Sequence, residues 1–370
     1  MQLTSIKENQ AFFTVVTKSY LAFARAMAGQ LKKFHPDIPL VVFLADNPDG
    51  CFDPIKEPFP VVELRDYLPG PLLETMPAYY TAFEFCNALK GFAHLHLASK
   101  PGLNCWLYLD ADIFVCGSFD RIFSTINEYS ILLTPHILHP ASLAKTERIE
   151  RAFLKHGIYN GGCVGIRNTP IAREFLAWWT ERLTWLCLLN LPGLSCDQTW
   201  LNFVPLFFKD VHILRDPAVN VAYWNLHERP LVLASAESAT VAGKSVPFLH
   251  LSGWDWQQPE VISRHLSGEA EISQPVWRQL TRRFAEILIF AGIKESSIWP
   301  YSFAKARDGT VITPGMRRRY WDVLRNKTAE QIVPSLFANP EIYAVEPVPQ
   351  ISLRQATRTL LRGIQQRFFK

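Results

Sequence analysis

The sequence lacks long apolar runs, zinc-ligand patterns and a dinucleotide fingerprint. Its longer apolar runs, residues 105–109 and 287–293, are far shorter than the roughly 20 residues that a membrane-spanning helix needs. The amino-terminal stretch also lacks the apolar core of a secretory signal peptide. No C-x-x-C pair or histidine cluster indicates zinc, and no G-x-G-x-x-G follows the first predicted strand. We therefore expect no spanning helix, no zinc site and no dehydrogenase-type dinucleotide site.

The composition is that of a well-buried globular protein with little net charge. Of the 370 residues, 48% are hydrophobic and 13% are aromatic, which argues against disorder and favours an enzyme with a large core. A net charge of +4 is too small to indicate nucleic-acid binding, and we expect no nucleic-acid partner. The seven cysteines lie mostly in apolar runs, as buried reduced thiols do, so we expect a cytoplasmic protein.

Two carboxylates follow one of the apolar runs directly. Asp110 and Asp112 come after the strand-length run 105–109, and residues 113–115 are apolar again. Residues i and i+2 of an extended chain point to the same side, so the two carboxylates could share one divalent cation. The alternative is that they cap a turn or the following helix. A bare D-x-D pattern occurs often by chance, so the rest of the chain decides between the two interpretations.

The amino-terminal part has the order of a βαβ unit. Residues 11–16 predict a strand, Ser19 is a candidate N-cap for a helix that runs to about Phe34, and residues 38–47 predict a second strand. Such units build parallel sheets whose ligands lie at the carboxyl ends of the strands. We expect an α/β fold with a mixed, mostly parallel sheet flanked by helices. The proline-rich residues 54–77 predict an irregular excursion over this sheet.

Polar side chains recur on predicted helices and at strand ends further along the chain: Lys90, Asn160, Asp197, Gln198 and His250. Each has a structural alternative. The glycine pair after Asn160 is typical of a β-bulge, and an acid at a helix start such as Asp197 complements the helix dipole. A lone histidine at a strand end, such as His250, is more often a structural hydrogen-bonding group than a ligand.

In this order the motifs resemble the nucleotide-diphospho-sugar transferases of the GT-A fold, close to a bacterial branch of the glycogenin-like, retaining glycosyltransferase family 8. The resemblance covers about residues 10 to 325. Besides the polar residues above, it rests on these stretches: 84–90, 220–229, 250–253, 301–303, 308–309 and 317–320.

The resemblance implies transfer of a sugar from a nucleotide-diphospho-sugar donor, a UDP-sugar first of all, to a glycan, lipid or other acceptor with retention of configuration. It implies that a divalent metal, Mn²⁺ or Mg²⁺, bridges the donor's diphosphate and is held by Asp110, Asp112 and His250. The donor contacts that it implies are Thr17, Tyr20, Lys90, Asp110, Ala111 and Gly253. The catalytic residues beside the sugar would be Asn160, Asp197 and Gln198.

One position departs from the family pattern. Family members commonly carry a lysine shortly after the His-x-x-Gly motif, where it contacts the diphosphate. Here residues 254–258 read Trp-Asp-Trp-Gln-Gln. We expect either that another cation supplies this charge, with Lys90, Arg229 and Lys244 as candidates, or that the donor differs.

The carboxyl-terminal part changes in character. We predict a catalytic domain over residues 1–270 and a mainly helical extension over residues 271–370. The tail from Leu353 to Lys370 has no acid and places arginines four residues apart, which is typical of a basic amphipathic helix at a membrane surface or partner. The alternative is a solvated or disordered tail. On the first interpretation the protein contacts the inner face of the membrane peripherally.

Two other functional classes compete with the glycosyltransferase interpretation. A nucleotidyltransferase also uses a Rossmann-like sheet and metal-binding acids, but it usually carries a glycine- and lysine- or arginine-rich loop after the first strand. Residues 17–20 match that loop poorly. A non-catalytic sugar- or partner-binding scaffold is the other class. It would not need the full set of carboxylates, amides and histidine that this chain keeps.

Overall fold

The computed structural model describes residues 9–147, 149–189, 191–266, 274–327 and 332–344. The chain forms two compact units that divide between Ala304 and Lys305. The predicted basic tail, Leu353 to Lys370, lies outside the described residues.

A seven-stranded sheet forms the centre of the first unit, in the spatial order β3-β2-β1-β4-β7-β6-β8. Its strands are β1 (Gln10–Val16), β2 (Leu40–Leu44), β3 (Val61–Val62), β4 (Cys105–Leu109), β6 (Ile131–Pro135), β7 (Tyr159–Arg167) and β8 (Val211–Ile213). Only β7 runs antiparallel to its neighbours, β4 and β6, and the other neighbouring pairs are parallel. The predicted mostly parallel sheet flanked by helices is therefore confirmed.

Buried apolar strands and amphipathic helices explain this architecture. Every residue of β2, β4 and β6 is buried, as expected for strands covered on both faces by helices. The helices of the first unit are α1 (Leu21–Phe34), α2 (Leu64–Tyr67), α3 (Gly70–Tyr79), α4 (Ala82–Ala98), α5 (Asp120–Glu128), α6 (Leu143–Thr146), α7 (Glu150–His156), α8 (Pro170–Leu186), α9 (Val204–Phe207), α10 (Pro275–Phe290) and α11 (Ile293–Ser296).

Two local predictions were wrong. Ser19 does not cap α1, because a 3₁₀ turn over Lys18–Tyr20 with Thr17 at its N-cap precedes the helix. Residues 54–77 are not irregular, since they contain a 3₁₀ turn, β3, α2 and most of α3. The prolines mislead here because a proline in the first helical turn, as at the start of α3, costs no hydrogen bond.

A second, three-stranded sheet positions part of the site. It has the order β5-β13-β9, with β5 at Ile113–Val115, β13 at Phe248–His250 and β9 at Val221–Ala222. β13 pairs antiparallel with β5, so that His250 lies opposite Ile113, and parallel with β9. A third sheet joins β10 (Val232–Ser235), β11 (Ser238–Val241) and β12 (Lys244–Ser245).

Helix α10 belongs to the first unit by its packing. Its buried side chains Trp277, Leu280 and Phe284 share a core cluster with Phe23 and Ala26 of α1. The division into a catalytic domain over residues 1–270 and an extension after it stays a prediction.

The second unit is described over residues 305–327 and 332–344. It contains α12 (Pro314–Asn326), which Thr313 caps by accepting a hydrogen bond from Met316 N. A 3₁₀ turn over Pro340–Tyr343 packs on this helix, with the Tyr343 ring 5.3 Å from that of Tyr320. Within the described parts of the chain, every helix is too short or too polar to cross a membrane.

Candidate active site

The carboxylate pair lies in the turn between β4 and β5. Asp110 N donates to Gly162 O at 2.9 Å, and Leu251 N donates to Asp112 O at 3.0 Å, so that backbone bonds on both sides fix the turn. Both carboxylates are about one-third exposed or less. They therefore open to the surface from the end of a buried strand.

His250 completes a cluster with the two carboxylates. Its Nε2 lies 3.3 Å from Asp112 Oδ1 and 3.7 Å from Asp110 Oδ2. Its Nδ1 lies 3.2 Å from Asn220 Oδ1, which can only accept, so Nδ1 carries the proton and Nε2 faces the carboxylates. Burial is the largest single influence and lowers the pKa of His250, but Asp112 and Asp110 together outweigh burial and raise the pKa overall.

This cluster fits a divalent cation. One ligand atom from each of Asp110, Asp112 and His250 lies within 4.8 Å of the other two, a separation that one ion with bonds of about 2.1–2.4 Å can span. Carboxylate oxygens favour hard ions such as Mn²⁺ or Mg²⁺. The donor set and its geometry agree with the predicted metal ligands.

Lys90 joins this cluster to Asp197. Its ammonium lies 3.1 Å from Asp110 Oδ1 and 2.9 Å from Asp197 Oδ2, and it also donates to Gly161 O at 3.1 Å. Burial opposes its charge, but the two carboxylates outweigh burial and raise the pKa of Lys90. Burial likewise favours the neutral form of Asp110, and Lys90 and His250 outweigh it, so the pKa of Asp110 is lowered.

Asn160 lies on β7, and Asp197 and Gln198 lie beside this strand at the start of a 3₁₀ turn. Burial raises the pKa of Asp197 in spite of the nearby Lys90. Gln198 Oε1 accepts from Gly161 N at 3.0 Å and from Asn160 Nδ2 at 3.3 Å, and Asn160 Oδ1 accepts from Gly162 N at 3.0 Å. The three predicted catalytic side chains therefore surround the glycine pair.

The glycine pair is required for these side chains to lie so close to the backbone of β7. A Cβ on Gly161 would overlap the Asp197 carboxylate, and one on Gly162 would lie 2.5 Å from both Asp110 Oδ2 and His250 Cε1. The register between β6 and β7 also shifts next to this pair, between Leu133 and Thr134. The strand is therefore irregular at the pair, as the β-bulge interpretation predicts, and the side chains of the cluster lie against its backbone.

Some of the predicted donor contacts lie in or beside the metal cluster, as Lys90 and Asp110 do, and others line a pocket. Tyr20 is half-exposed, stacks on Phe23 at 5.1 Å and lines a pocket of about 430 Å³ together with Gly253. Thr17 is buried, and its hydroxyl lies 2.9 Å from that of Ser19. Ala111 is half-buried between the two carboxylates and packs on the core. Burial raises the pKa of Tyr20, and the negative charge of Asp112 raises it further.

Two of the three cations predicted as substitutes for the family's lysine make other contacts. Arg229 is buried and donates to the carbonyls of Val219 and Asn220, at 2.5 and 3.3 Å. Lys244 lies on β12 with Asp216 at 3.6 Å. Of the candidates, only Lys90 lies in the cluster, where it faces Asp110 and Asp197.

Two residues that contact the cluster, Tyr108 and Asn220, were not predicted from the sequence. The Tyr108 hydroxyl donates to Asp110 Oδ1 at 2.6 Å. Its position two residues before Asp110, on the same side of the strand, is a signal that could have found it. Asn220 holds His250 from a left-handed backbone conformation, with φ of 59°, and no pattern in the sequence indicates this contact.

No family model matches the chain. Two relatives from Bacillus subtilis strain 168 do, and both are uncharacterized proteins. YfnF is 27% identical over 252 residues, which is 66% of this chain and 81% of the relative. YfnD is 25% identical over 223 residues, which is 58% of this chain and 68% of the relative.

The chain is similar to solved glycosyltransferases. The galactosyltransferase LgtC, in complex with donor and acceptor sugar analogs, is 16% identical with a TM-score of 0.44, over 76% of this chain and 95% of that one. GlyE of Streptococcus pneumoniae is 14% identical with a TM-score of 0.42, over 80% and 66% of the two chains. The assignment to family 8 stays a prediction.

Proposed function

We propose that this protein is a metal-dependent glycosyltransferase that moves a sugar from a nucleotide-diphospho-sugar, a UDP-sugar first of all, to a glycan or lipid-linked acceptor. One observation carries the proposal: the cluster of Asp110, Asp112 and His250 is linked through Lys90 to the buried carboxylate of Asp197. A candidate cation-binding group and a separate carboxylate thus both contact one lysine. A bound cation would stabilise a departing nucleoside diphosphate, and a carboxylate would stabilise positive charge on the sugar.

The cluster is suited to stabilising the leaving group, which is the departing nucleoside diphosphate. Asp110, Asp112 and His250 would hold Mn²⁺ or Mg²⁺, which when bound neutralises charge that develops on the departing diphosphate. The hydrogen bonds from Tyr108 to Asp110 and between His250 and Asn220 orient two of the three ligands before any ion binds.

The side chains of Asp197, Gln198 and Asn160 are suited to contacting the transferred sugar. Cleavage of a sugar–phosphate bond passes through a state with positive charge on the ring, which a nearby carboxylate or amide oxygen stabilises. The 2.9 Å ion pair with Lys90 favours the ionised form of Asp197 against its burial. We assign Asp197 to holding the sugar and Gln198 to the face below its anomeric carbon, with retention of configuration.

Donor hydrolysis tests the proposal. Purified protein is incubated with Mn²⁺ and UDP-, GDP- or dTDP-sugars, and release of the nucleoside diphosphate is measured. At least one donor should be hydrolysed, and Asp112→Asn and Asp197→Ala should each lower the rate by roughly 100- to 1,000-fold. Asp37→Asn changes an exposed aspartate on another loop and should leave the rate unchanged.

The competing classes predict different products. Pyrophosphate release from a nucleoside triphosphate would favour a nucleotidyltransferase. A non-catalytic scaffold would hydrolyse no donor and bind no nucleotide in a metal-dependent way. If every donor is untouched and Asp112→Asn binds Mn²⁺ as tightly as the wild type, the proposal fails.

The proposal includes a peripheral membrane contact through the basic tail. Arg354, Arg358 and Arg362 lie four residues apart in the sequence, so in a helix they would share one face. Co-sedimentation of the full chain with phosphatidylserine vesicles tests this. Replacement of the three arginines by glutamine should abolish binding, and equal binding by the variant would refute the contact.

A further inference from the structure

One side of the pocket beside Tyr20 is formed by the chain that follows His250. Gly253 and Trp254 line it, together with Arg264. Its volume of about 430 Å³ lies within the range of small-molecule sites, about 300–1,000 Å³. This side therefore belongs to the segment in which the family's lysine is missing.

Hydrogen bonds between residues 252–253 and residues 263–264 hold the Arg264 backbone against this side of the pocket. Arg264 N donates to Gly253 O at 2.9 Å, and Ser263 Oγ donates to Ser252 O at 2.8 Å. Gly253 has φ of 72°, and a Cβ on it would overlap the ring of His265. The backbone at Gly253 and the chain from Ser263 to His265 are thus packed together, and the Arg264 backbone has a defined position.

Arg264 also carries an uncommitted charge. It is exposed, and no described residue forms an ion pair or a side-chain hydrogen bond with it. Arg25, by contrast, pairs with Glu57 at 2.7 Å, and Arg229 is buried in backbone contacts. Gly253, to which the Arg264 backbone is bonded, lies three residues after His250, and Leu251 N donates to Asp112 O at 3.0 Å. The chain that holds Arg264 against the pocket is therefore continuous with the chain that carries the metal cluster.

A nucleoside diphosphate in this pocket needs such a charge. It carries two to three negative charges, of which one divalent cation at Asp110, Asp112 and His250 would offset about two. A guanidinium presents parallel N–H donors that match two phosphate oxygens at once. Of the other cations considered, Arg229 and Lys244 are held elsewhere, and Lys90 faces two carboxylates.

We propose that Arg264 binds the diphosphate of the donor and so supplies the charge that residues 254–258 lack. The inference rests on the proposed function, because it takes the donor to be a nucleotide-diphospho-sugar. It adds a residue that reaches the pocket from a separate turn of the chain, about ten positions after Gly253.

Binding measurements with Arg264→Gln test the inference. Dissociation constants are measured by titration calorimetry in Mn²⁺ for UDP, GDP and dTDP, and by competition for the nucleoside of whichever diphosphate binds. Arg264→Gln should weaken binding of the diphosphate by roughly 10- to 100-fold and leave binding of the nucleoside unchanged. Arg264→Lys should recover part of the loss. Arg65→Gln, an exposed arginine on α2, is the matched control and should behave as wild type.

Every other outcome refutes the role of Arg264, and one of them also refutes the proposed function. If wild-type protein binds none of the diphosphates, the proposed function fails and the role of Arg264 with it. If wild type binds and Arg264→Gln binds equally well, the function stands and the role of Arg264 is refuted. If Arg264→Gln weakens nucleoside and diphosphate equally, Arg264 holds the pocket or the base, which also refutes the inference.

Discussion

Gly162 limits how the metal cluster can be built, because any side chain there would occupy the space of two predicted ligands. We predict that Gly162→Ala lowers Mn²⁺ affinity by at least about 10-fold, since its Cβ would lie 2.5 Å from Asp110 Oδ2 and His250 Cε1. Gly29→Ala is the control: Gly29 lies exposed on α1 with no atom near its added Cβ. It should leave Mn²⁺ affinity unchanged and raise the free energy of unfolding by roughly 0.5–1 kcal/mol. Equal Mn²⁺ affinity of Gly162→Ala and wild type would contradict the site.

Asn220 holds the imidazole of His250 in the tautomer that can bind a cation. We predict that Asn220→Gly, which tolerates the φ of 59° but lacks the amide, weakens Mn²⁺ binding by roughly 10- to 100-fold. Asn220→Asp keeps an acceptor for Nδ1–H and should bind Mn²⁺ within a few-fold of wild type. Titration of Mn²⁺ by electron paramagnetic resonance measures both. Full affinity in Asn220→Gly would show that the contact is dispensable.

The carboxyl ends of β1 and β2 are tied together by a buried ion pair. Lys18 Nζ lies 3.1 Å from Asp46 Oδ2 and 2.8 Å from Asp49 Oδ2, and Lys18 N donates to Asp46 Oδ1 at 2.9 Å. Burial raises the pKa of Asp46 from 3.8 to about 6, against the opposing charge of Lys18. The pair therefore couples the sheet edge beside Tyr20 to pH.

The sign of this coupling is fixed by the raised pKa. The folded state holds the Asp46 proton more tightly than the unfolded state, so the stabilisation is complete below pH 3.8 and is lost as pH rises through about 6. The loss amounts to at most about 3 kcal/mol. Urea denaturation between pH 4 and 7 should show this decline in wild type relative to Asp46→Asn. Parallel pH profiles of the two proteins would refute it.

Helix α4 carries Lys90 and begins with a reciprocal cap. Thr81 Oγ1 accepts from Glu84 N at 3.3 Å, and Glu84 Oε2 accepts from Thr81 N at 3.0 Å. We predict that Thr81→Ala lowers the free energy of unfolding by about 1 kcal/mol and that Thr81→Ser retains most of it. Urea denaturation measures both variants. Equal loss in Thr81→Ser and Thr81→Ala would show that the hydroxyl is not what stabilises the helix.

Elements with a strong local pattern were predictable, and elements held by distant contacts were not. The apolar runs of β1, β2 and β4 predict their strands within a few residues. Helix α2 is only four residues long, and its Tyr67 hydroxyl donates to Leu44 O at 2.9 Å on the sheet. A helix so short is stabilised by tertiary packing rather than by its own sequence, so the proline-rich stretch that contains it appeared irregular.

At the scale of the whole molecule, the cluster gathers residues that are far apart in the chain. The spacing of Asp110 and Asp112 made them candidates and the family resemblance added His250, but the pairing of β13 with β5 is what brings the histidine beside the carboxylates. Strand pairing between residues more than 100 positions apart depends on the packing of every element between them. The place of Arg264 at the pocket likewise depends on a distant backbone contact, with Gly253, that no local pattern predicts.

Ligand binding should therefore stabilise the first unit as a whole, because the groups of the candidate site come from several of its elements, among them α4, β7 and β13. We predict that Mn²⁺ and UDP together, each at about 100 times its own dissociation constant, raise the free energy of unfolding by more than the sum of about 5.4 kcal/mol that two independent ligands give at roughly 2.7 kcal/mol each. The excess arises because diphosphate and cation bind each other as well as the protein. Thermal denaturation measures the effect as a rise in Tm.

The variant Asp112→Asn separates this coupling from independent binding. Loss of one carboxylate removes a ligand atom that lies within 4.8 Å of the other two, so Mn²⁺ should no longer raise the Tm in the presence of UDP. Asp37→Asn, on an exposed loop, should respond as wild type does. Strictly additive Tm shifts in wild type would mean that the two ligands bind without contact, and the diphosphate would then lie away from the Asp110–Asp112–His250 cluster.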